Sequence, residues 1–145
     1  MKYFITLFIL TYGWTLTTSS NPEKIMENQV KQTIIDFTEA GEKRDLQTME
    51  TVLHPEFRVV LNRFRGAENT SIMDRKTYLD MIESEKIGGE HYQLKIHDVS
   101  IHDHTAAARV EWKNDKTLFR IHFLLVKNAE DQWQIISDMP VVSGR

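Results

Sequence analysis

The chain contains no cysteine, which excludes disulfides, thiol nucleophiles, zinc knuckles and a lipid-modified cysteine at a processed N-terminus. Stability must come from packing alone. Basic residues are not in excess either, since 18 Lys and Arg stand against 21 Asp and Glu. They form no stripe with interleaved aromatics, so nucleic acid is not an expected partner. There is no glycine-rich phosphate loop and no serine-centred nucleophile motif. No apolar run reaches the ~20 residues that a membrane span requires. Repeats and low-complexity segments are also missing, and 145 residues are enough for one domain with a core but short for two.

The one long apolar stretch lies at the start. Lys2 supplies a positive charge, Tyr3 to Leu16 is uncharged and apolar, and small polar residues follow from Thr17 to Ser20. This is the pattern of a signal peptide over residues 1–20, with cleavage near Thr17 to Ser20 and a single domain over 21–145. A membrane anchor is the competing reading, but the run is too short for it. The expected location is secreted or periplasmic, with no stable membrane span after cleavage.

Asn21-Pro22-Glu23 opens a helix: a capping side chain, a proline that needs no partner in the first turn, and an acid suited to the helix dipole. Ile25, Val30, Ile34, Phe37 and Thr38 fall on one face, and Gly41 suits a stop. Asp45 caps a second, short helix ended by His54-Pro55. Phe57 to Asn62 reads as a strand, Arg63 to Ser71 as a polar loop, and Asp74 as the start of a third helix closed by Gly88-Gly89. Tyr92 to Ile101 then begins a meander of four strands. Helices early and antiparallel strands late predict an α+β domain.

Register decides which side chains face the helices. A two-residue loop at Asn114-Asp115 sets Val110 opposite Phe119 and Ala108 opposite Ile121. A four-residue loop at Asn128 to Asp131 sets Phe123 opposite Ile136 and Ile121 opposite Asp138. One face then carries Ala106, Ala108, Val110, Trp112, Phe119, Ile121, Phe123, Leu125 and Ile136, with Asp138 almost its only charge. The other face, including Arg109, Glu111, Arg120, His122, Leu124, Trp133 and Ile135, is mixed. It suits either a second subunit or a wet surface with scattered apolar residues.

Asp138 is the first candidate for function, because an apolar cavity would raise its pKa and fit it for proton transfer or ligand binding. The alternative is a solvated strand end. Tyr78 and Trp112 would line the same cavity, offering a hydroxyl, an indole N-H and flat area, or else belong to the core. His54 can face the pocket mouth or be a plain helix-end histidine, and Arg58 can meet an anion only if its face turns inward and is otherwise solvated. His97, Asp98, His102, Asp103 and His104 invite a metal reading, but a strand does not converge three or four ligands from them. No metal and no cofactor is expected.

The motifs EAGEKRDLQTM after the first helix, LHPEF, DRKTYLDMI, TAAARVEW and LLVKNAEDQWQI, in that order and spacing, resemble the nuclear transport factor 2-like superfamily, in its SnoaL-like and "putative lumazine-binding" branch. The resemblance covers about Ile25 to Asp138. It implies a cone: a curved antiparallel sheet wrapped over three helices, a pocket between them, and often a homodimer through the outer sheet face. Members include isomerases, polyketide cyclases, dehydratases and ligand-binding proteins, so the pocket must decide. Where an isomerase would present its oxyanion-binding acid, this chain has Phe123.

The expected function is binding of a small apolar or aromatic organic ligand by Asp138, Trp112, Tyr78, His54, Phe119, Ile121 and Phe123. An enzyme of the cyclase, ketosteroid isomerase or dehydratase kind, with Asp138 as base and Tyr78 or His54 as partner, is the alternative. A dimeric interaction module without ligand is a second one. Because Phe123 is placed at the centre of the apolar face, Phe123→Asp should abolish folding; a soluble variant with a cooperative thermal transition would refute that placement.

Overall fold

The computed structural model describes residues 21–144, with side chains to Val142. The expected signal peptide therefore lies outside the described residues. Asn21 accepts the Glu23 N-H on its side chain and starts α1, Pro22–Lys43. This helix runs past Gly41 and stops at Arg44, which takes a left-handed φ of 52°. Gly41 instead serves packing, since a Cβ there would press on the Met49 side chain at 3.3 Å. Asp45 caps α2, Leu46–Val52, by accepting from Thr48, and Asp74 caps α3, Arg75–Glu83, by accepting from Thr77. Both caps stand where the sequence put them.

The chain moves without a break from α2 into β1, Leu53–Asn62, and the expected break at His54-Pro55 becomes an irregularity within that strand. Proline lacks the N-H that a regular ladder needs, so a bulge accommodates it. The expected polar loop holds a short 3-10 turn at Phe64–Gly66 and then a strand, β2, Thr70–Asp74. After α3 come β3, Gln93–His102, β4, Thr105–Lys113, β5, Thr117–Lys127, and β6, Trp133–Gly144. The strands form one sheet in the order β2-β1-β6-β5-β4-β3. The α+β class with three helices is what the structure shows. The sheet is mixed, however, because β1 pairs with β6 in parallel while the other pairings are antiparallel.

Both hairpins differ from expectation, for distinct reasons. In the first, Ala108 lies opposite Phe123 and Trp112 opposite Phe119, a shift of two residues. Asn114 does not occupy the turn but precedes it, accepting the N-H groups of Lys116 and Thr117 on its side chain at 3.0 and 2.8 Å. A turn of the Asn-Gly kind needs positive φ at both central residues and has no glycine here to take the second, and the Asn side chain supplies the alternative. Since the shift is even, every side chain keeps its face.

In the second, Asp131 adopts φ 61° and adds a residue to the loop, so Lys127 meets Trp133 and Leu125 meets Ile135. An odd shift exchanges the faces. Trp133 and Ile135 are buried, not outward. A bulge at Ile136 then shifts the register again, and Phe123 meets Asp138. Asp138 thus faces inward because two one-residue displacements follow each other.

The core gathers Val30, Ile34 and Phe37 of α1, Leu53 and Phe57 of β1, and Val110, Phe123 and Ile135 of the later strands. Phe37 is its hub: it meets Phe123 edge-on at 5.6 Å and stacks near Trp112 at 5.8 Å and Tyr78 at 6.2 Å. Ring pairs of this kind add about 1 kcal/mol each to simple burial. The Asn114 side chain supports the first hairpin through two hydrogen bonds, one exposed and one part-buried. Asn114→Ala should therefore cost about 1 kcal/mol and lower the melting temperature by roughly 2–8 °C; an unchanged melting curve would show that the turn does not depend on them.

Candidate functional site

Between the inner sheet face and the helices lies a cavity of about 480 Å³, within the range of small-molecule sites. Its walls come from α1 (Phe37, Thr38), β1 (Val59, Leu61), α3 (Tyr78, Ile82), β4 (Trp112), β5 (Phe119, Ile121) and β6 (Asp138, Pro140). Of the sequence candidates, Asp138, Tyr78, Trp112, Phe119 and Ile121 meet on this wall. His54 and Phe123 do not. His54 sits at the start of β1 and accepts the Glu56 N-H on Nδ1 at 3.1 Å, because the chain turns into a strand there and carries the ring away from the mouth. Phe123 points inward but is wholly covered by Phe37 and Trp112. Arg58 is exposed, across from Asp74 and Ser137.

Asp138 is 5% exposed, and its strand neighbours are Val59 on β1 and Phe123 on β5. Neither offers a hydrogen bond. Among the described residues, buried side-chain polar atoms without a partner are Arg75 Nε, Trp133 Nε1 and Asp138 Oδ1, and Asp138 alone of these residues lines the cavity. Burial disfavours its charged form and pushes the pKa from 3.8 up to about 7. The Tyr78 phenol is raised strongly as well, by burial first and then by the charge of Asp138. At neutral pH the cavity therefore holds a carboxyl poised between its two forms and a neutral phenol.

The indole of Trp112 and the hydroxyl of Tyr92 are engaged. Trp112 Nε1 donates to Thr38 Oγ1 at 3.1 Å, and that hydroxyl donates to the Ile34 carbonyl. The indole N-H expected to meet a ligand is thus spent within the fold, and Trp112 offers the cavity apolar ring surface only. At the mouth, Tyr92 packs against Trp112 and Phe119 at 6.0 and 5.7 Å, and its hydroxyl donates to Glu90. Sequence reasoning missed this residue, since a tyrosine at a strand start carries no signal of its own.

The segment from Ile87 to Tyr92 is strapped to the end of α1. Arg44 Nη2 donates to the Gly88 carbonyl at 2.9 Å, Gly89 N donates to the Gly41 carbonyl at 2.9 Å, and Glu42 accepts the Tyr92 N-H at 3.0 Å. Gly88 and Gly89 have φ of 76° and 80°, and a Cβ at Gly88 would lie 2.7 Å from the Gly41 carbonyl. Only glycine fits so close an approach.

The histidine-rich turn forms separate pairs rather than a site. His97 lies 3.7 Å from Glu111, His104 lies 3.4 Å from Asp103, and His102 lies 3.3 Å from Ser100. Among the described residues no three metal-ligating side chains converge, and no described helix is long and apolar enough to cross a membrane. On the outer sheet face Leu124, Met139 and Val141 are 50%, 41% and 57% exposed, beside ion pairs such as Arg109–Asp98 at 2.7 Å.

Comparison with known proteins agrees with this geometry. The family model described as "Putative lumazine-binding" matches residues 26–139. Among solved structures, the chain is similar to an NTF-2 like protein of unknown function from Silicibacter pomeroyi, at 15% identity and a TM-score of 0.72, covering 85% of this chain and 100% of that one. It is also similar to an NTF2-like protein of unknown function from Shewanella baltica, at 15% identity and a TM-score of 0.71, covering 86% and 98%. A ketosteroid isomerase-like protein from Erwinia carotovora atroseptica gives 15% identity and a TM-score of 0.63, covering 79% and 94%. No curated protein matches the sequence. Identities this low establish the fold and nothing finer.

The buried carboxyl has a consequence for stability. The folded state holds its proton up to about pH 7 and the unfolded chain releases it near 3.8, so the native state binds more protons across that window. Stability from this group is highest at the acid end and falls as pH rises to 7. Asp138→Asn should thus be more stable than the parent at about pH 8, by up to roughly 4 kcal/mol, with the gain shrinking toward pH 5. Denaturant unfolding at several pH values checks this; a difference independent of pH would mean that Asp138 is solvated.

Proposed function

The chain belongs to the family described as "Putative lumazine-binding", and on that premise we propose that it is an exported protein that binds a small apolar or aromatic organic molecule between sheet and helices. One observation carries the reading: a cavity of about 480 Å³, walled by rings and aliphatic chains, holds a single buried carboxyl with a bare oxygen. Cavities that bind small molecules combine apolar walls with a few placed polar groups in this way. The composition of residues 1–20 supports export to a secreted or periplasmic location. The exposed Leu124, Met139 and Val141 support a homodimer through the outer sheet face.

An isomerase or lyase is the second reading, favoured by one specific feature. Asp138 and Tyr78 line the same cavity, and a carboxyl with a pKa of about 7 suits proton transfer near neutrality. Against it, His54 is off the wall, and Phe123 stands where a second acid would act. A dimeric module with a filled interior has less support, because the interior is not filled.

Native mass spectrometry of the chain from residue 21 onward tests the binding reading and the subunit count together. The expected result is a dimer that retains or takes up an apolar or aromatic compound, with lower retention in Asp138→Asn. A ligand-free protein that takes up no member of a varied set of such compounds would overturn it.

A further inference from the structure

Resting on the binding reading above, we propose that the cavity selects organic cations: an amine whose ammonium N-H is donated to Asp138 while its apolar body lies against the ring wall. The first ground is Asp138 itself, nine-tenths buried and bare at Oδ1. A buried acceptor of this kind is costly unless something donates to it, and no side chain of the protein donates to Oδ1 in this structure.

The second ground is what surrounds it. The charged side chains on the cavity lining besides Asp138 are Glu42 from α1, Arg65 from the 3-10 turn, and Lys86 and Glu90 from the segment after α3. Arg65 and Lys86 are exposed at the mouth, and Arg65 lies over the Phe64 ring at 5.6 Å. Glu42 and Glu90 are held by Tyr92 and its neighbours. The lining of β1, β4 and β5 is apolar or aromatic, and α3 contributes the Tyr78 phenol. No cation of the protein therefore competes for Asp138, and none waits at depth for an anionic ligand.

The third ground is the wall. Phe37, Tyr78, Trp112 and Phe119 line the cavity with aromatic rings, and Trp112 has no donor left to offer because Thr38 takes it. Ring faces attract an ammonium within about 6 Å through their quadrupoles, most strongly where water is excluded. A carboxylate and a set of rings on one wall are complementary to a positive, apolar guest. They are not complementary to a carboxylate guest, which would meet like charge without a counter-ion.

A matched series of phenylbutylamine, phenylbutanol, phenylbutanone and phenylbutyrate separates the possibilities by calorimetry. The amine is charged throughout the range used, so its affinity should follow ionisation of Asp138. It should rise about tenfold per pH unit below pH 7 and level off above. At about pH 8 the amine should bind at least tenfold more tightly than the alcohol, with the carboxylate weakest. Asp138→Asn, checked for folding by its thermal transition, should bring amine and alcohol to equal affinity. If that variant fails to fold, the pH dependence of the parent still decides.

An alcohol or ketone that binds as tightly as the amine, or affinity that falls as pH rises, would overturn the cation preference and leave the binding reading standing. A preference for amine that persists in Asp138→Asn would overturn it too. If no member of the series binds, the binding reading falls with it.

Discussion

A single extra residue in β6 governs the inner surface of this protein. With Ile136 bulged out of the ladder, Ile135 and Asp138 both face the helices; without it, strand alternation would send Asp138 to the outside and Ser137 to the inside. Bulges commonly re-aim a side chain beside a functional site, and here the re-aimed group is the one buried acid on the cavity. The irregularity in β1 lies alongside, between Leu53 and Arg58, so both partners of the parallel pair deform together. The rank Val59, Asp138, Phe123 follows from that deformation, and it leaves the carboxyl between two side chains that cannot hydrate it.

The aromatic cluster determines what kind of space remains. Phe37 fills the centre and holds Phe123, Trp112 and Tyr78 around it, and the strap from Ile87 to Tyr92 closes over the end of α1. Thr38 matters more than its size suggests, since its hydroxyl accepts the Trp112 N-H and donates a hydrogen bond to the Ile34 carbonyl. The result is a wall of rings with its indole N-H satisfied and one acceptor open. That contrast, rather than volume alone, separates a ligand site from a packing defect.

Much of this arrangement was legible in the residues. Caps at Asn21, Asp45 and Asp74 are local hydrogen-bond chemistry, so they read correctly. The inner face from Ala106 to Leu125 also read correctly, although the first hairpin was displaced, because an even displacement leaves alternation intact. The second hairpin shows where such reading fails. The left-handed turn at Asp131 and the bulge at Ile136 each moved the register by one, and only their succession returned Asp138 to the side expected of it. Neither carries a sequence signal as plain as Asn-Gly. Trp133 and Ile135 were assigned to the wrong face for the same reason, and β2 was hidden in a polar stretch whose pairing comes entirely from β1. The spent N-H of Trp112 was illegible on other grounds, since it depends on Thr38, distant in the chain; His54 was misplaced because β1 begins at Leu53 and the ring takes a local partner, the Glu56 N-H.

The parallel pair of β1 and β6 carries a kinetic meaning. Its contacts, such as Leu53 with Ile135, close about eighty residues of chain, whereas the hairpins close only a few. Loop entropy makes that closure costlier by about 2–3 kcal/mol, and contacts of such separation form slowly. Until β1 docks, Asp138 belongs to the bare margin of a nascent sheet, hydrated and as acidic as any aspartate. The chemistry of the cavity therefore requires the pairing of β1 with β6, and any state that lacks it lacks the buried acid.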